Sequence, residues 1–467
     1  MLYRVGDRAG AFVALREGIE RFSRNELFLV LAFGWVFASF LQGIAGFGVP
    51  IAVVAPLLLA LGVRPLYAVL IPLIGHAWAN MFGTLAVGWL ATIQVVKLEN
   101  QPETAFQNAI MLAFPSLFAG FTIAYLYGKW AAVRHAWPMV LIIATIHGGG
   151  QLALMLWDPI LSTFLASAVA LVALYPLSRW RRYDQPAEEI TERPAMQEES
   201  PEEAEREREE HEEEEPEPVM GLWMALMPYI VLTVLIVAAI VPPPVEETLE
   251  RLEVGLPFPQ TETGFGVENA AEDQYEPFAP LTHPGTFLLL AAVVGYVVYR
   301  ARGYYRAWEQ RAKPEGLWPG LVGNATPASI AIVAFLVMSK FMDDSGQTEV
   351  LAAGIAEFSP PLVFALMSNL IGLVGAFMTS SNAASNILFA PLQQTVAGAE
   401  GLSEATIISA QNAGGAVGNS ISPANAVLGT GAVGAVGKEG DVLRMVLPWA
   451  VAVALVMGAG TLALELL

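Results

Sequence analysis

The stretch FMTSSNAASNILFAPL, residues 377–392, decides how the chain is read. Apolar sequence flanks it on both sides, yet its centre carries Thr379, Ser380, Ser381, Asn382, Ser385 and Asn386. Amide and hydroxyl groups at membrane depth each cost roughly 2–7 kcal/mol unless they find partners. Ser381 and Ser385 are four apart, as are Asn382 and Asn386, so on a helix each pair shares one face. We read these four residues as converging on a bound solute.

The rest of the composition supports a membrane setting. The chain has 467 residues, of which 55% are hydrophobic and 15% charged, and a mean hydropathy of +0.52. Apolar runs of about 20 residues recur along it, which is the length a helix needs to cross a bilayer. They fall near 26–42, 43–62, 65–91, 104–127, 137–157, 159–177, 221–241, 284–300, 317–341, 360–378, 379–397, 405–434 and 442–465. The expected fold is an all-α polytopic membrane protein with about 12–13 transmembrane segments, some of them discontinuous helices or re-entrant hairpins. There is no Cys, which excludes disulfides and thiolate metal sites. No P-loop, metal-ligand cluster or nucleophile–base pair stands out. The expectation is therefore no enzyme, no cofactor, no metal and no nucleic-acid partner. Without a nucleotide site, energy must come from an ion or solute gradient, with a proton or sodium ion as the coupling species.

The net charge of −20 is unevenly placed. Residues 184–217 hold 17 acidic side chains against three Arg, and residues 242–283 hold nine against one. This suggests an organisation in six parts. Residues 1–25 form an amphipathic lead-in, without the apolar core of a cleavable signal peptide. A first membrane repeat spans 26–183, and an acidic, disordered linker spans 184–220. A single crossing, 221–241, leads to an irregular acidic external loop, 242–283. A second membrane repeat spans 284–467. If every segment crosses, an inside N-terminus puts 21 of the 24 basic residues on the cytoplasmic side. The N-terminus and residues 178–220 are then expected to be cytoplasmic.

The two halves share phrases in the same order. GIAGFGVPIAVVAPLLLALG, residues 43–62, contains APL at 55–57, and the polar stretch contains APL at 390–392. Downstream lie ANMFGTLAVG at 79–88 and ANAVLGTGAVG at 424–434. In the counted topology the matching phrases run in opposite directions, which predicts two inverted-topology repeats meeting at a central site. Asn80, Thr84, Asn425 and Thr430 would complete that site. Gly46 and Gly48 are expected among the substrate-binding residues where they break the first helix, as the run Gly414, Gly415, Gly418, Asn419 and Pro423 would break a later one. Close helix packing is the other use for such glycines.

Ionisable groups at membrane depth are candidates for ion coupling. His76 is either a substrate donor and proton relay or a neutral imidazole bonded to a backbone carbonyl. His147 precedes three glycines and can line a break. Lys340 beside Asp343 and Asp344 either snorkels outward to pair with them or forms part of an ion route. Gln411 and Asn412 either line the site or bond between helices. Asp158-Pro159 has the form of a helix N-cap with Pro at the first position.

Taken together, AGFGVPIAVVAPLLLALG, SSNAASNILFAPLQQT, SAQNAGGAVGNSISPANAV and VGKEGDVLR resemble the L-lactate permease family of bacteria and archaea. The resemblance covers both halves. It implies secondary symport of lactate or a related 2-hydroxymonocarboxylate such as glycolate, with protons or another cation, across the cell membrane. Homodimerisation is a further implication. The Ser-Asn pair also resembles the Ser-Asn-Thr carboxylate motif of dicarboxylate carriers that work by an elevator motion, which puts Ser381 and Asn382 at the carboxylate. Ala383 stands where those carriers have Thr, a departure from their sodium site. The competing expectation is a passive anion channel or uniporter.

Overall fold

The computed structural model describes residues 2–11, 13–14, 23–46, 48–197, 220–240, 242–262, 268–269, 271–309, 326, 330, 333–334, 337–338, 340–342 and 344–466. The chain forms two compact units. One comprises Met1–Arg21 with Gln197–Ile330, and the other Phe22–Met196 with Ala331–Leu467.

The larger unit is helical throughout its framework. Its helices are α1 (Glu26–Ala45), α2 (Val49–Ala60), α3 (Pro65–Gly75), α4 (Gly83–Ile93), α5 (Gln101–Met155) and α6 (Pro159–Ser178) in the first half. In the second half they are α7 (Gln347–Phe358), α8 (Pro361–Thr379), α9 (Asn382–Glu400), α10 (Glu404–Gly418), α11 (Pro423–Ala432) and α12 (Glu439–Glu465). Five of these, α1, α5, α6, α8 and α12, are long and apolar enough to cross a membrane. The chain is a multi-pass helical membrane protein.

Both halves follow one order of elements. In the first, α1 breaks at Gly46 and Gly48, α2 turns into α3 at left-handed Gly62, and a 3-10 turn, Ala77–Ala79, precedes α4. In the second, α8 breaks at Ser380, α9 turns into α10 at left-handed Gly401, and a 3-10 turn, Asn419–Ile421, precedes α11. Local chemistry sets each restart. Pro stands in the first turn of α2, α3 and α11, where its missing N–H costs nothing. Ser381, Ser403 and Ser422 cap α9, α10 and α11 by accepting from Ala384, Thr406 and Asn425 N–H.

Several boundaries move from the sequence reading. The runs 43–62, 65–91 and 405–434 each split, at Gly46–Gly48, at the turn before α4 and at Asn419–Ile421. The runs 104–127 and 137–157 join into α5, kinked where Lys129 takes φ +54. Close approach explains the glycines of α10. A Cβ on Gly414 would meet the Asn369 carbonyl oxygen at 2.0 Å, and one on Gly418 the Leu373 carbonyl oxygen at 2.4 Å. These two glycines seat α10 against α8 rather than break it.

The start of the acidic linker is packed, not disordered. Residues 179–196 form a strap over one end of the first half. Glu26 takes bonds from Arg193 at 2.6 Å and from the Tyr127 hydroxyl at 3.0 Å, and His135 meets Glu189 at 2.6 Å. Bonds from its own backbone N–H and from His135 hold the Glu189 carboxyl below the usual range. Arg64 N–H donates to Ala195 at 2.8 Å, tying the strap to the α2–α3 turn. Residues 198–219 of the linker lie outside the described residues.

The smaller unit contains helices Leu2–Arg8, Leu222–Ile240, Pro243–Glu250 and Pro284–Ala301. The loop expected to be irregular carries antiparallel ladders. Val254–Phe258 pairs with Glu272–Phe278, and Thr261–Glu262 pairs with Glu268–Asn269.

Candidate functional site

The breaks of the larger unit meet around one cavity of about 60 Å³. Gln42, Asn80, Gly83, Thr84, Val87 and Gly88 line it from the first half, and Ser380, Ser381, Asn382, Ala383, Asn419 and Asn425 from the second. No lining side chain is charged. Five predicted residues, Asn80, Thr84, Ser381, Asn382 and Asn425, are therefore brought together from segments about 300 positions apart.

Asn419 joins the two AN phrases. Its amide donates to Asn80 Oδ1 at 3.0 Å, while Asn425 donates to the Asn419 carbonyl at 3.1 Å. Asn80 in turn donates to the Ala416 carbonyl at 2.8 Å. Each amide is thus oriented by the opposite half or by a backbone carbonyl. Asn382 is held differently. Its Nδ2 reaches Met81 sulfur at 3.5 Å, a weak acceptor, and its Oδ1 has no partner among the described residues. A buried acceptor left unpaired costs about 1–3 kcal/mol. Asn382 also opens α9, so the unpaired N–H groups and the positive end of that helix face the cavity.

Backbone conformation on the first-half side is unusual. Thr84, Leu85 and Ala86 have φ of 52, 54 and 60 degrees. This left-handed run turns the Thr84 hydroxyl to the Gly46 N–H, which donates to it at 2.8 Å. A Cβ on Gly46 would lie 2.3 Å from that hydroxyl, so only glycine permits the contact. Gly48, at φ +81, packs against Leu428 and Asn425. Neither Gly46 nor Gly48 lines the cavity. They shape its wall.

Ser385 and Asn386 share the faces of Ser381 and Asn382 but lie one turn deeper. There they join a buried network and do not reach the cavity. Gln411 donates to Ser385 Oγ at 3.2 Å and to Asn386 Oδ1 at 3.3 Å, and Gln393 donates to Gln411 at 2.6 Å. Gln411 and Asn412 thus bond between helices; Asn412 accepts from Thr92 at 2.9 Å. Thr430 is also away from the cavity, donating to Glu439 at 2.8 Å.

The ion-coupling candidates sit outside the lining. His76 is buried with Nδ1 on the Pro72 carbonyl, at the end of α3. His147 lies in a π-turn of α5, stacked on Trp78 at 4.5 Å and edge-on to Trp35 at 5.3 Å. Its Nε2 has no partner among the described residues. Lys340 is half-buried on a helical segment, and Asp343 lies outside the described residues. Asp158 caps α6, its carboxylate accepting from Ile160 N–H at 2.7 Å.

Sequence reasoning passed over Asn419, Gln42, Ser380, Gly83, Val87 and Gly88 as lining residues. Asn419 carried the same signal as the others, an uncharged amide inside an apolar run. Gln42 carried that signal too, at the end of an apolar run, whereas Gly88 is set by the tertiary meeting of the breaks and had no local signal.

The family model for L-lactate permease matches residues 1–467. The chain is 28% identical to the L-lactate permease of Salmonella typhimurium, covering 95% of this chain and 79% of that one. It is 26% identical to the L-lactate permease of Halalkalibacterium halodurans, over 100% and 83%. It is 26% identical to glycolate permease GlcA of Escherichia coli, over 99% and 82%. Among solved structures, the YdaH transporter of Alcanivorax borkumensis aligns at 14% identity with a TM-score of 0.33, covering 97% and 87%.

Proposed function

Because the chain belongs to the L-lactate permease family, a family of transporters and not of enzymes, we propose that it carries lactate or glycolate by proton- or cation-coupled symport. The observation that carries this reading is the uncharged cavity built by both halves. A monocarboxylate needs one anion site and one hydroxyl partner, without a full counter-charge that would hold it too tightly for release. The α9 N-terminus with Ser381 takes the carboxylate. Asn382 Oδ1 accepts a hydrogen bond from the 2-hydroxyl, and Asn80, Asn419 and Asn425 complete the lining.

The same geometry supports a reading by alternating access. The shared order of elements supports two inverted repeats whose broken helices shift together against α5, α6 and α12. His76 couples the proton, with His147 next, since both lie on or against the segment leading to Asn80. The basic ends, including the N-terminus, face the cytoplasm. Dimerisation rests on the family alone.

Uptake of labelled lactate into proteoliposomes, driven by an imposed inward proton gradient, tests this reading. Symport predicts accumulation above the external concentration, which collapses when a protonophore is added. Uptake that stops at equilibration with and without the gradient leaves only the passive pore. A His76→Gln variant should retain exchange of internal for external lactate while losing uphill accumulation. Full uphill transport in that variant removes His76 from the coupling route.

A further inference from the structure

We propose that the smaller unit binds the phosphate of an anionic phospholipid at the end of helix Pro284–Ala301. A second cavity, of about 200 Å³, lies there, lined by Arg300, Ala301, Gly303, Tyr305, Arg306 and Glu309. Three independent features meet at it.

The first is charge. Two guanidinium groups and one carboxylate line the cavity, leaving it net positive. Arg300 is held by the Tyr296 hydroxyl at 3.2 Å and by Glu309 at 3.5 Å, a long and exposed pairing. Gly303, at φ +77, leaves room for Arg306, whose Nε would be 3.1 Å from a Cβ there. Paired guanidinium forks suit a phosphate's oxygens better than a carboxylate's single edge.

The second is an apolar track. Leu289, Leu290, Val293, Val294 and Val297 are 38–57% exposed. Their spacing of three and four places them on one face of the helix, and the next positions of that face are Arg300 and Ala301. An acyl chain laid along this face brings its headgroup to the cavity.

The third is depth. Tyr296, Tyr299, Tyr304 and Tyr305 cluster with ring centroids 5.5–6.5 Å apart. Tyr299 donates to the Met224 carbonyl at 3.0 Å and Tyr305 to the Val5 carbonyl at 3.1 Å. Tyr299 and Tyr305 are buried, whereas Tyr296 and Tyr304 are part-exposed, and tyrosines with one exposed edge suit the headgroup level of a bilayer, where lipid phosphates lie. A free phosphate would satisfy the charge but not the track.

The test uses the full chain in neutral detergent, with binding read by native mass spectrometry. Phosphatidylglycerol, phosphatidylcholine, glycerol 3-phosphate and inorganic phosphate are added separately. Phosphatidylglycerol is expected to bind about tenfold more tightly than phosphatidylcholine, with R300A/R306A removing the difference. Glu309→Gln is expected to tighten phosphatidylglycerol binding about fivefold, a gain that misfolding cannot imitate. Equal binding of the two lipids, or an unchanged preference in R300A/R306A, overturns the proposal. Glycerol 3-phosphate or inorganic phosphate binding as tightly as phosphatidylglycerol makes this a free-phosphate site and overturns the lipid.

Discussion

The larger unit uses one phrase in two conformations. ANMFGTLAVG leaves a 3-10 turn and passes through three left-handed residues, Thr84, Leu85 and Ala86. ANAVLGTGAVG is capped by Ser422 and runs as the helix α11 to Ala432. The polar stretches differ in the opposite sense. Around Gly46 and Gly48 the first half offers little but backbone, whereas Ser380, Ser381 and Asn382 bring side chains to the cavity. So the halves are alike in order and divided in labour. The first supplies Gln42, Asn80 and a strained turn, and the second supplies Ser380, Ser381, three amides and a helix N-terminus.

The largest effect should come from the amide side. Asn382→Ala removes a group with no structural partner beyond a weak contact to Met81, so folding should survive. Uptake should fall about a hundredfold or more, as expected when a site loses a polar group that matches substrate. Labelled lactate uptake, with the protein's elution from size exclusion as the folding control, measures both. Uptake within twofold of the parent would move the substrate elsewhere.

Asn419→Ala strikes the bridge between the halves. It removes the donor to Asn80 and one of two acceptors for Asn425. Two altered hydrogen bonds of about 1 kcal/mol each predict a roughly thirtyfold loss in uptake efficiency. Asn419→Asp loses the same donor and sets a carboxylate against Asn80 Oδ1 in a cavity for an anion, and should lose more uptake than Asn419→Ala. If both variants match the parent, the halves do not depend on each other through this residue.

On the backbone side the effect is steric. Gly46→Ala puts a methyl 2.3 Å from the Thr84 hydroxyl, and overpacking of this kind costs about 1–3 kcal/mol. Adding Thr84→Ala opens that space while losing the bond from Gly46 N–H. The double variant should therefore be better than the sum of the singles by about 1 kcal/mol in uptake and in thermal stability. Strict additivity would show that the two segments do not touch.

This division bears on what a sequence reveals. Composition and run length were enough for the helical membrane class, because burying a backbone in lipid leaves few alternatives. Asn80, Ser381, Asn382 and Asn425 were legible because an uncharged amide or hydroxyl in an apolar run needs a reason. Ser385 and Asn386 carried the same signal for a different reason. They satisfy Gln411, and a buried network looks like a ligand site until the partner is seen. Gln42 carried the amide signal as well, whereas Gly88 carried none, since its place at the cavity depends on how distant breaks meet. The linker misled by its charge: Glu189 and Arg193 belong to a packed strap whose partners, His135 and Glu26, are far away in sequence.

The smallest effect isolates the conformational difference itself. At matched positions the first phrase has Thr84, Leu85 and Ala86, and the second has Thr430, Gly431 and Ala432. The residue best suited to left-handed backbone, Gly431, therefore sits in the regular helix, while Leu85 and Ala86 sit in the left-handed run. Residue type at these positions opposes conformation in both halves. Ala86→Gly should then stabilise the protein by about 1 kcal/mol, because the left-handed region costs an L residue roughly that much more than glycine. Gly431→Ala should stabilise it by a similar amount, about 1 kcal/mol, through helix propensity, since nothing lies within 4 Å of the added methyl. Opposite substitutions giving the same sign, read as shifted midpoints of detergent-induced unfolding, would establish that the two copies differ in backbone and not only in side chains. Destabilisation by Ala86→Gly would show the first phrase to be helical like the second, and the comparison between them would fail.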